Sequence, residues 1–199
     1  MELSNNNISD IDSLENTNFE FLEKIDLSYN KILKIDVLET VNYTHLKELS
    51  LNDNSISSID VLDKINFKNL EKIDLGNNKL ANIEVLANAD FKELKELNLS
   101  NNKLTEIEVL GKVNFEKLEK INLAYNEITN VDVLNDVKFN ELKVLDLSNN
   151  NIFDLNLIED MKFKKLKSID LSYNKIAKNK NSKIMNKLDK LKSKIDIYI

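Results

Sequence analysis

The sequence of 199 residues lacks cysteine, proline, tryptophan and arginine, and it contains one histidine, His45. Without cysteine, the chain cannot form a disulfide framework, a cysteine-ligated zinc site or a thiol nucleophile. A Ser-His-Asp site could form only around His45, which we interpret as a solvated loop residue. The phosphate-binding, dinucleotide-binding, zinc-protease and EF-hand motifs are missing as well. We therefore predict a protein that is not an enzyme and that uses no cofactor or metal.

Long apolar runs are also missing, since no stretch approaches the ~20 residues of a membrane-spanning helix. The N-terminal residues lack the basic and apolar regions of a secretion signal. The content of 42% hydrophobic and 31% charged residues is typical of a folded globular domain. A net charge of −6 argues against a general nucleic-acid binder. These features favour a cytoplasmic protein without a membrane span, with an extracellular location as the alternative if the chain is an excised fragment.

A repeat of 24 residues runs through the chain without an insertion. It starts at Leu22, Leu46, Leu70, Leu94, Leu118, Leu142 and Leu166. Apolar residues at positions 4 and 6 of each unit alternate with polar ones, which predicts a half-buried strand. Later apolar residues lie three to four apart, which predicts a short helix or turns. A strand, a helical return and another strand together predict parallel pairing between repeats.

These units resemble the leucine-rich repeat family, whose signature is L-x-x-L-x-L-x-x-N-x-L. The chain is similar to cytosolic phosphatase-regulator-type domains and to internalin-like domains. The resemblance implies an α/β fold, a right-handed solenoid with a concave parallel sheet and a convex side of short helices or turns. We expect this solenoid at residues 1–176, with about seven to eight repeats and the first one truncated. Residues 177–199 are expected to form a C-terminal cap, with a helix over 182–192 and a last strand.

Three columns of side chains recur in the unit. Position 9 carries asparagines that are expected to satisfy unpaired turn backbone: Asn30, Asn54, Asn78, Asn102, Asn126, Asn150 and Asn174. Position 22 carries rings that predict an aromatic spine behind the sheet: Phe19, Tyr43, Phe67, Phe91, Phe115, Phe139 and Phe163. Position 15 carries side chains that are expected to accept hydrogen bonds from free N–H groups at a helix start: Asp12, Asp36, Asp60, Glu84, Glu108, Asp132 and Asn156.

Charges at positions 2 and 3 change sign from each repeat to the next. The pairs are Glu23-Lys24, Lys47-Glu48, Glu71-Lys72, Lys95-Glu96 and Glu119-Lys120. Strands ~4.8 Å apart would bring each lysine opposite a carboxylate, which predicts neutralisation within the solenoid. The alternation ends at Lys143-Val144 and Lys167-Ser168.

Partner recognition is expected on the concave face. Tyr29, Tyr125 and Tyr173 are candidate contacts, because tyrosine combines a large area with a polar tip. The alternative is that these turn positions tolerate an exposed tyrosine without consequence. The other candidate contacts are Asp53, Asp74, Asn98, Asp146 and Asp170. Two adjacent carboxylates on a flat sheet, Asp146 and Asp170, make a poor calcium cage.

The C-terminal segment is rich in lysine. Between Lys175 and Lys194 there are eight lysines and one aspartate, a local charge of +7. This basic patch is either the polar outer face of a cap or a dock for an acidic partner, membrane or nucleic acid. Its candidate residues are Lys178, Lys180, Lys183, Lys187, Lys190 and Lys192.

Three functions fit these observations. The first is a non-catalytic module that binds another protein, of unknown identity, on its concave face. The second is a surface-exposed or secreted adhesin or effector domain that recognises a host or cell-surface ligand. The third is a structural spacer that docks an acidic surface through its C-terminal lysines. The truncated first strand, residues 1–3, lacks a cap, which indicates a fragment or a natural truncation, or else an edge that something else covers. Its bare edge invites strand pairing, so we expect a monomer or edge-mediated self-association.

Overall fold

The computed structural model describes residues 1–15, 17–154, 162–176 and 182–199, and within these ranges eight short strands form one parallel sheet in chain order. The strands are β1 (Lys24–Asp26), β2 (Glu48–Ser50), β3 (Lys72–Asp74), β4 (Glu96–Asn98), β5 (Lys120–Asn122), β6 (Val144–Asp146), β7 (Ser168–Asp170) and β8 (Asp196–Tyr198). From β1 to β7 each residue pairs with the residue 24 positions later, as Ile25 does with Leu49. The predicted parallel solenoid sheet is therefore confirmed.

Short 3₁₀ helices return the chain from one strand to the next. They span Asp12–Leu14, Asp36–Glu39, Asp60–Asp63, Glu84–Ala87, Glu108–Gly111 and Asp132–Asn135. The expectation that position 15 caps these helices is wrong, because the acidic residue is the first helical residue and its side chain makes no capping bond. In the fourth helix Asn82 Oδ1, two positions earlier, accepts the Glu84 N–H at 2.6 Å. Asn156, the last residue of that column, lies outside the described residues.

A single apolar core lies between the sheet and the 3₁₀ helices. In the first repeat Ile25, Leu27 and Ile32 have no exposed surface, because these positions all point inward. The predicted aromatic spine is present behind the sheet, where the ring centroids of Tyr43 and Phe67 are 6.0 Å apart. Phe19 differs, since 43% of its surface is exposed at the N-terminal end of the column.

Asparagines at position 9 bind neighbouring repeats together. Asn78 Nδ2 donates to the carbonyls of Leu51, Leu75 and Gly76 at 3.0–3.1 Å, and Leu51 belongs to the preceding repeat. Asn78 Oδ1 accepts the N–H of Ile56, also in the preceding repeat, at 3.0 Å. The same bonds recur from Asn54 to Asn150, so each amide satisfies backbone groups that no strand pairs.

The C-terminal segment contains the helix and strand that its apolar spacing predicts. Helix α1 spans Ser182–Lys192, and β8 pairs with β7 through Ile169 and Ile197. Leu188 of α1 is buried against the core, at 2% exposure. The boundary at residue 176 and the capping role of this segment stay predictions, and residues 177–181 lie outside the described part of the chain.

Candidate partner-binding surface

The concave face is defined here as the outward positions 2, 3 and 5 of each strand together with position 8, the turn residue that follows. Positions 2 and 3 form rows of ion pairs across the strands, as predicted. Glu96 accepts from Lys120 at 2.9 Å and lies 3.6 Å from Lys72. The hydrogen bond from Lys120 is the main reason that the pKa of Glu96 lies below its usual value. Other pairs in these rows are Lys24–Glu48, Lys47–Glu23, Lys95–Glu71 and Lys143–Glu119.

These rows stop at β6. Position 3 is Val144 in β6 and Ser168 in β7, so no charge continues that row. At position 2 Lys167 follows Lys143, and among the described residues Lys167 makes no ion pair. Positions 2 and 3 of the concave face therefore carry equal numbers of lysines and glutamates over the first five strands, and this balance ends at β6 and β7.

Position 5 side chains have a structural task. Oδ1 of Asp74 accepts the N–H of Gly76 at 3.0 Å, which fixes the turn after the strand. Asn98, Asp146 and Asp170 accept the N–H two residues later in the same way. Burial raises the pKa of Asp74, and bonds from Gly76 and from Asn98 Nδ2 offset part of the rise.

Position 8 holds the backbone in the left-handed region throughout the repeats. Within the described residues φ lies between 50° and 58° at eight positions, Asn5, Tyr29, Asp53, Asn77, Asn101, Tyr125, Asn149 and Tyr173. Asparagine and aspartate tolerate this region, whereas a bulky side chain there is an outlier that costs about 1 kcal/mol. Five of the eight positions have the tolerant residues and three have tyrosine.

The three tyrosines combine a fixed backbone with a free side chain. The N–H of Tyr29 donates to the carbonyl of Asn52 at 3.0 Å, and that of Tyr125 donates to the carbonyl of Ser148 at 2.9 Å. Their side chains are exposed by 58% in both cases, and that of Tyr173 is exposed by 81%. Asp53 differs from them, because its Oδ2 accepts from the neighbouring Asn52 at 2.7 Å. The structure thus presents three tyrosines along one line of turns, at repeats far apart in the stack.

The predicted basic patch is only partly described. Lys178 and Lys180 lie outside the described residues, and nothing is described of the Lys183 and Lys187 side chains. Lys190 and Lys192 are exposed on α1. Of these two, Lys192 lines a depression with Tyr173 and Tyr198.

Several exposed apolar side chains are not among the contacts predicted from the sequence, including Leu33, Phe153 and Tyr198. Leu33 and Phe153 occupy position 12 and are exposed by 56% and 60%. In the repeats between them position 12 carries a small side chain, as in Ser57 and Thr105. The larger residues at this one position of the repeat are the feature by which the sequence could have identified them. Tyr198 is 56% exposed and is the strand partner of Asp170. The two residues are not 24 positions apart, so the repeat spacing does not identify Tyr198.

Nothing in the described ranges has the geometry of a metal centre, since no three His, Cys, Asp or Glu side chains cluster there. His45 is exposed, its Nδ1 lies 2.8 Å from the carbonyl oxygen of Glu20, and its ring lies 5.5 Å from that of Phe21. A helix long and apolar enough to cross a membrane does not occur among the described residues.

Comparison with known proteins agrees with this geometry. The family described as "Leucine rich repeat" matches residues 68–128, 92–152 and 116–176, and "Leucine Rich repeats (2 copies)" matches residues 44–88. A search of curated proteins found no match.

Solved structures share the fold at low sequence identity. An internalin (inlF) from Listeria monocytogenes superposes with a TM-score of 0.76 at 22% identity, and the match covers all of this chain. This chain spans only 53% of that protein. Internalin C2 from the same organism gives a TM-score of 0.62 at 21% identity, over 85% of this chain and 75% of the other.

A third structure comes from a plant. It is the LRR ectodomain of the membrane receptor kinase GASSHO1/SCHENGEN3 from Arabidopsis thaliana, in complex with CASPARIAN STRIP INTEGRITY FACTOR 2. Its TM-score is 0.57 at 24% identity, over 75% of this chain and 18% of the other. Likenesses at this identity establish the architecture alone.

Proposed function

Because the chain belongs to the leucine-rich repeat family, we propose that it is a non-catalytic module that binds another protein on its concave face. Domains of this family generally mediate protein–protein interaction and are typically non-catalytic. The observation that carries the proposal is the set of exposed tyrosines at left-handed turn positions, Tyr29, Tyr125 and Tyr173. Residues held in such strained backbone regions are enriched at functional sites. Exposed tyrosine is also a preferred anchor of protein interfaces.

A rigid scaffold supports this role. The turn asparagine that follows each tyrosine is bonded to two repeats, so the tyrosine backbone is held before a partner arrives. Tyrosine has few rotatable bonds, and ordering it on binding therefore costs little entropy. The ion pairs over β1–β5 satisfy one another and leave the tyrosines as the large unengaged groups of that face.

A triple substitution tests the proposal. Asparagine is the natural residue at Asn77, Asn101 and Asn149, so Y29N/Y125N/Y173N preserves the turn while removing the rings. Partners captured by wild type from an unbiased interaction screen should be lost by this variant. Replacement of the exposed Asn42, Asn66 and Asn114 by alanine, on the side away from the sheet, is the control and should leave capture unchanged. Equal capture by the tyrosine variant would remove the proposal.

The cellular setting of this binding is a separate prediction. A cytoplasmic partner and a host or cell-surface ligand remain the two alternatives stated above. Protease accessibility of an epitope-tagged chain on intact cells distinguishes them. Degradation without lysis supports the surface or secreted alternative, and protection supports the cytoplasmic one.

A further inference from the structure

Charge is distributed very unevenly along this chain. Residues 1–161 contain 16 lysines against 31 carboxylates, a net charge of −15. Residues 162–199 contain 12 lysines against 3 aspartates, a net charge of +9. The C-terminal end of the solenoid is therefore the part that attracts an acidic partner, while the remaining surface repels it.

The same octapeptide occurs at both ends of the repeat array. Its two copies therefore show identical residues in two different electrostatic environments. IDLSYNKI spans residues 25–32 and 169–176, and both copies place their tyrosine in the left-handed region. At the first copy Tyr29 lies between Asn5 and Asp53, the position 8 residues of the adjoining repeats. At the second copy Tyr173 borders a depression that Lys192 and Tyr198 also line.

This depression offers both apolar and cationic groups. Tyr173 and Tyr198 expose 81% and 56% of their surfaces. Lys175 and Lys192 are exposed and, among the described residues, neither makes an ion pair. The carboxylate of Asp170 also lines the depression, but its Oδ1 accepts both the N–H and the hydroxyl of Ser172, at 2.8 and 2.6 Å. Lys192 is the cationic residue that lines the depression, and Lys175 follows Tyr173 by two residues.

We propose that this depression binds an acidic protein segment, with an apolar side chain between Tyr173 and Tyr198 and carboxylates against Lys175 and Lys192. The inference deepens the proposed function and rests on it. A protein segment can concentrate its acids over the basic end and be neutral elsewhere. The continuous phosphate charge of a nucleic acid would instead run onto the surface of net charge −15. An anionic bilayer would extend over the same repulsive surface.

Panning a random dodecapeptide library on the immobilised full chain tests this inference. Peptides rich in Asp and Glu with an aromatic or aliphatic residue should be enriched. Affinity of an enriched peptide should fall about tenfold in Y173N/K175E and about fivefold in K192E, and it should fall between about 50 and 300 mM salt. The control variant K31E changes the lysine of the other octapeptide that corresponds to Lys175 and should alter affinity less than about twofold.

Several outcomes would overturn the inference. Enrichment of basic peptides, or of none, does so, as does a loss of affinity in K31E equal to that in K192E. So does tighter binding to phosphatidylserine-containing vesicles or to a single-stranded DNA 20-mer than to any enriched peptide. If the peptides bind but are insensitive to Y173N/K175E and K192E, the inference fails while the proposed function stands. Thermal unfolding of each variant checks that the solenoid is intact.

Discussion

At the scale of single residues, the two adjacent asparagines in the turns of three repeats have different roles. Asn101 holds the left-handed turn at an exposed position, where its Nδ2 donates to Asn77 Oδ1, whereas Asn102 is 8% exposed and donates to three carbonyls. Its Oδ1 also accepts the N–H of Leu80, in the preceding repeat. Identical side chains one position apart thus supply conformational tolerance in one case and buried hydrogen bonding in the other.

Removal of the buried Asn102 amide should destabilise the fold strongly. We expect Asn102→Ala to lower the free energy of unfolding by about 3 kcal/mol, because several buried backbone groups lose their partner. Urea denaturation followed by circular dichroism measures the change. The matched substitution Asn101→Gly suits the left-handed backbone and should change stability by less than about 0.5 kcal/mol. Equal effects of the two substitutions would contradict the assigned roles.

At the tyrosines, in contrast, a substitution that removes a proposed partner contact should make the fold more stable. Tyr125→Asn places a tolerant residue at φ 55° and should raise the free energy of unfolding by about 0.5–1 kcal/mol. Tyr125→Phe keeps the strained bulk and should leave stability unchanged, which makes it the control. Thermal unfolding reports both. A loss of stability in Tyr125→Asn would show that the ring contributes packing energy and that its presence needs no functional explanation.

At the scale of the element, the strands owe little to their own length. Each of β1–β8 is three residues long, and its stability comes from pairing in register with its neighbours and from the asparagine bonds between repeats. The ion pairs at positions 2 and 3 add a smaller, solvent-screened contribution. Glu96 lies between two partners, Lys72 and Lys120.

The lowered pKa of Glu96 gives this contribution a defined pH dependence. The charged form is favoured in the folded state, so the stabilisation is present above the ordinary glutamate pKa and disappears as pH falls through the lowered folded value. Glu96→Gln should therefore cost about 0.5 kcal/mol at about pH 7 and nothing near pH ~2. Urea titrations across this range measure it. Glu106→Gln, at an exposed position without an ion pair among the described residues, should show no such difference.

Sequence periodicity predicted the strands, the buried columns and the ion-pair rows, because each depends on residue type at a fixed spacing. It missed features that depend on backbone angles. The left-handed turn makes Tyr125 a strained residue, and the bond from Ser148 N–H turns Asp146 from a free contact into a turn-fixing group. It also missed Tyr198, since β8 follows β7 by 28 residues instead of 24.

At the scale of the whole molecule, stability is shared between repeats and their neighbours. The predicted capping role of the C-terminal segment agrees with the pairing of β8 with β7 and with buried Leu188. Removal of residues 177–199 should therefore lower the midpoint of urea unfolding and expose apolar surface to a hydrophobic dye. An unchanged midpoint would show that the segment is not a cap. Leu188→Ala, which keeps the segment, should give an intermediate midpoint.

Amide hydrogen exchange resolved by NMR tests the central claim, that asparagines lock 24-residue units into one stack and hold its turns rigid. The account predicts slow exchange at position 11, where the N–H of Ile32, Ile56, Leu80, Leu104 and Ile128 donates to the asparagine of the next repeat. The amides of Tyr29 and Tyr125 should be protected as well, despite their exposed side chains. Fast exchange at these amides, or protection without a 24-residue period, would contradict it.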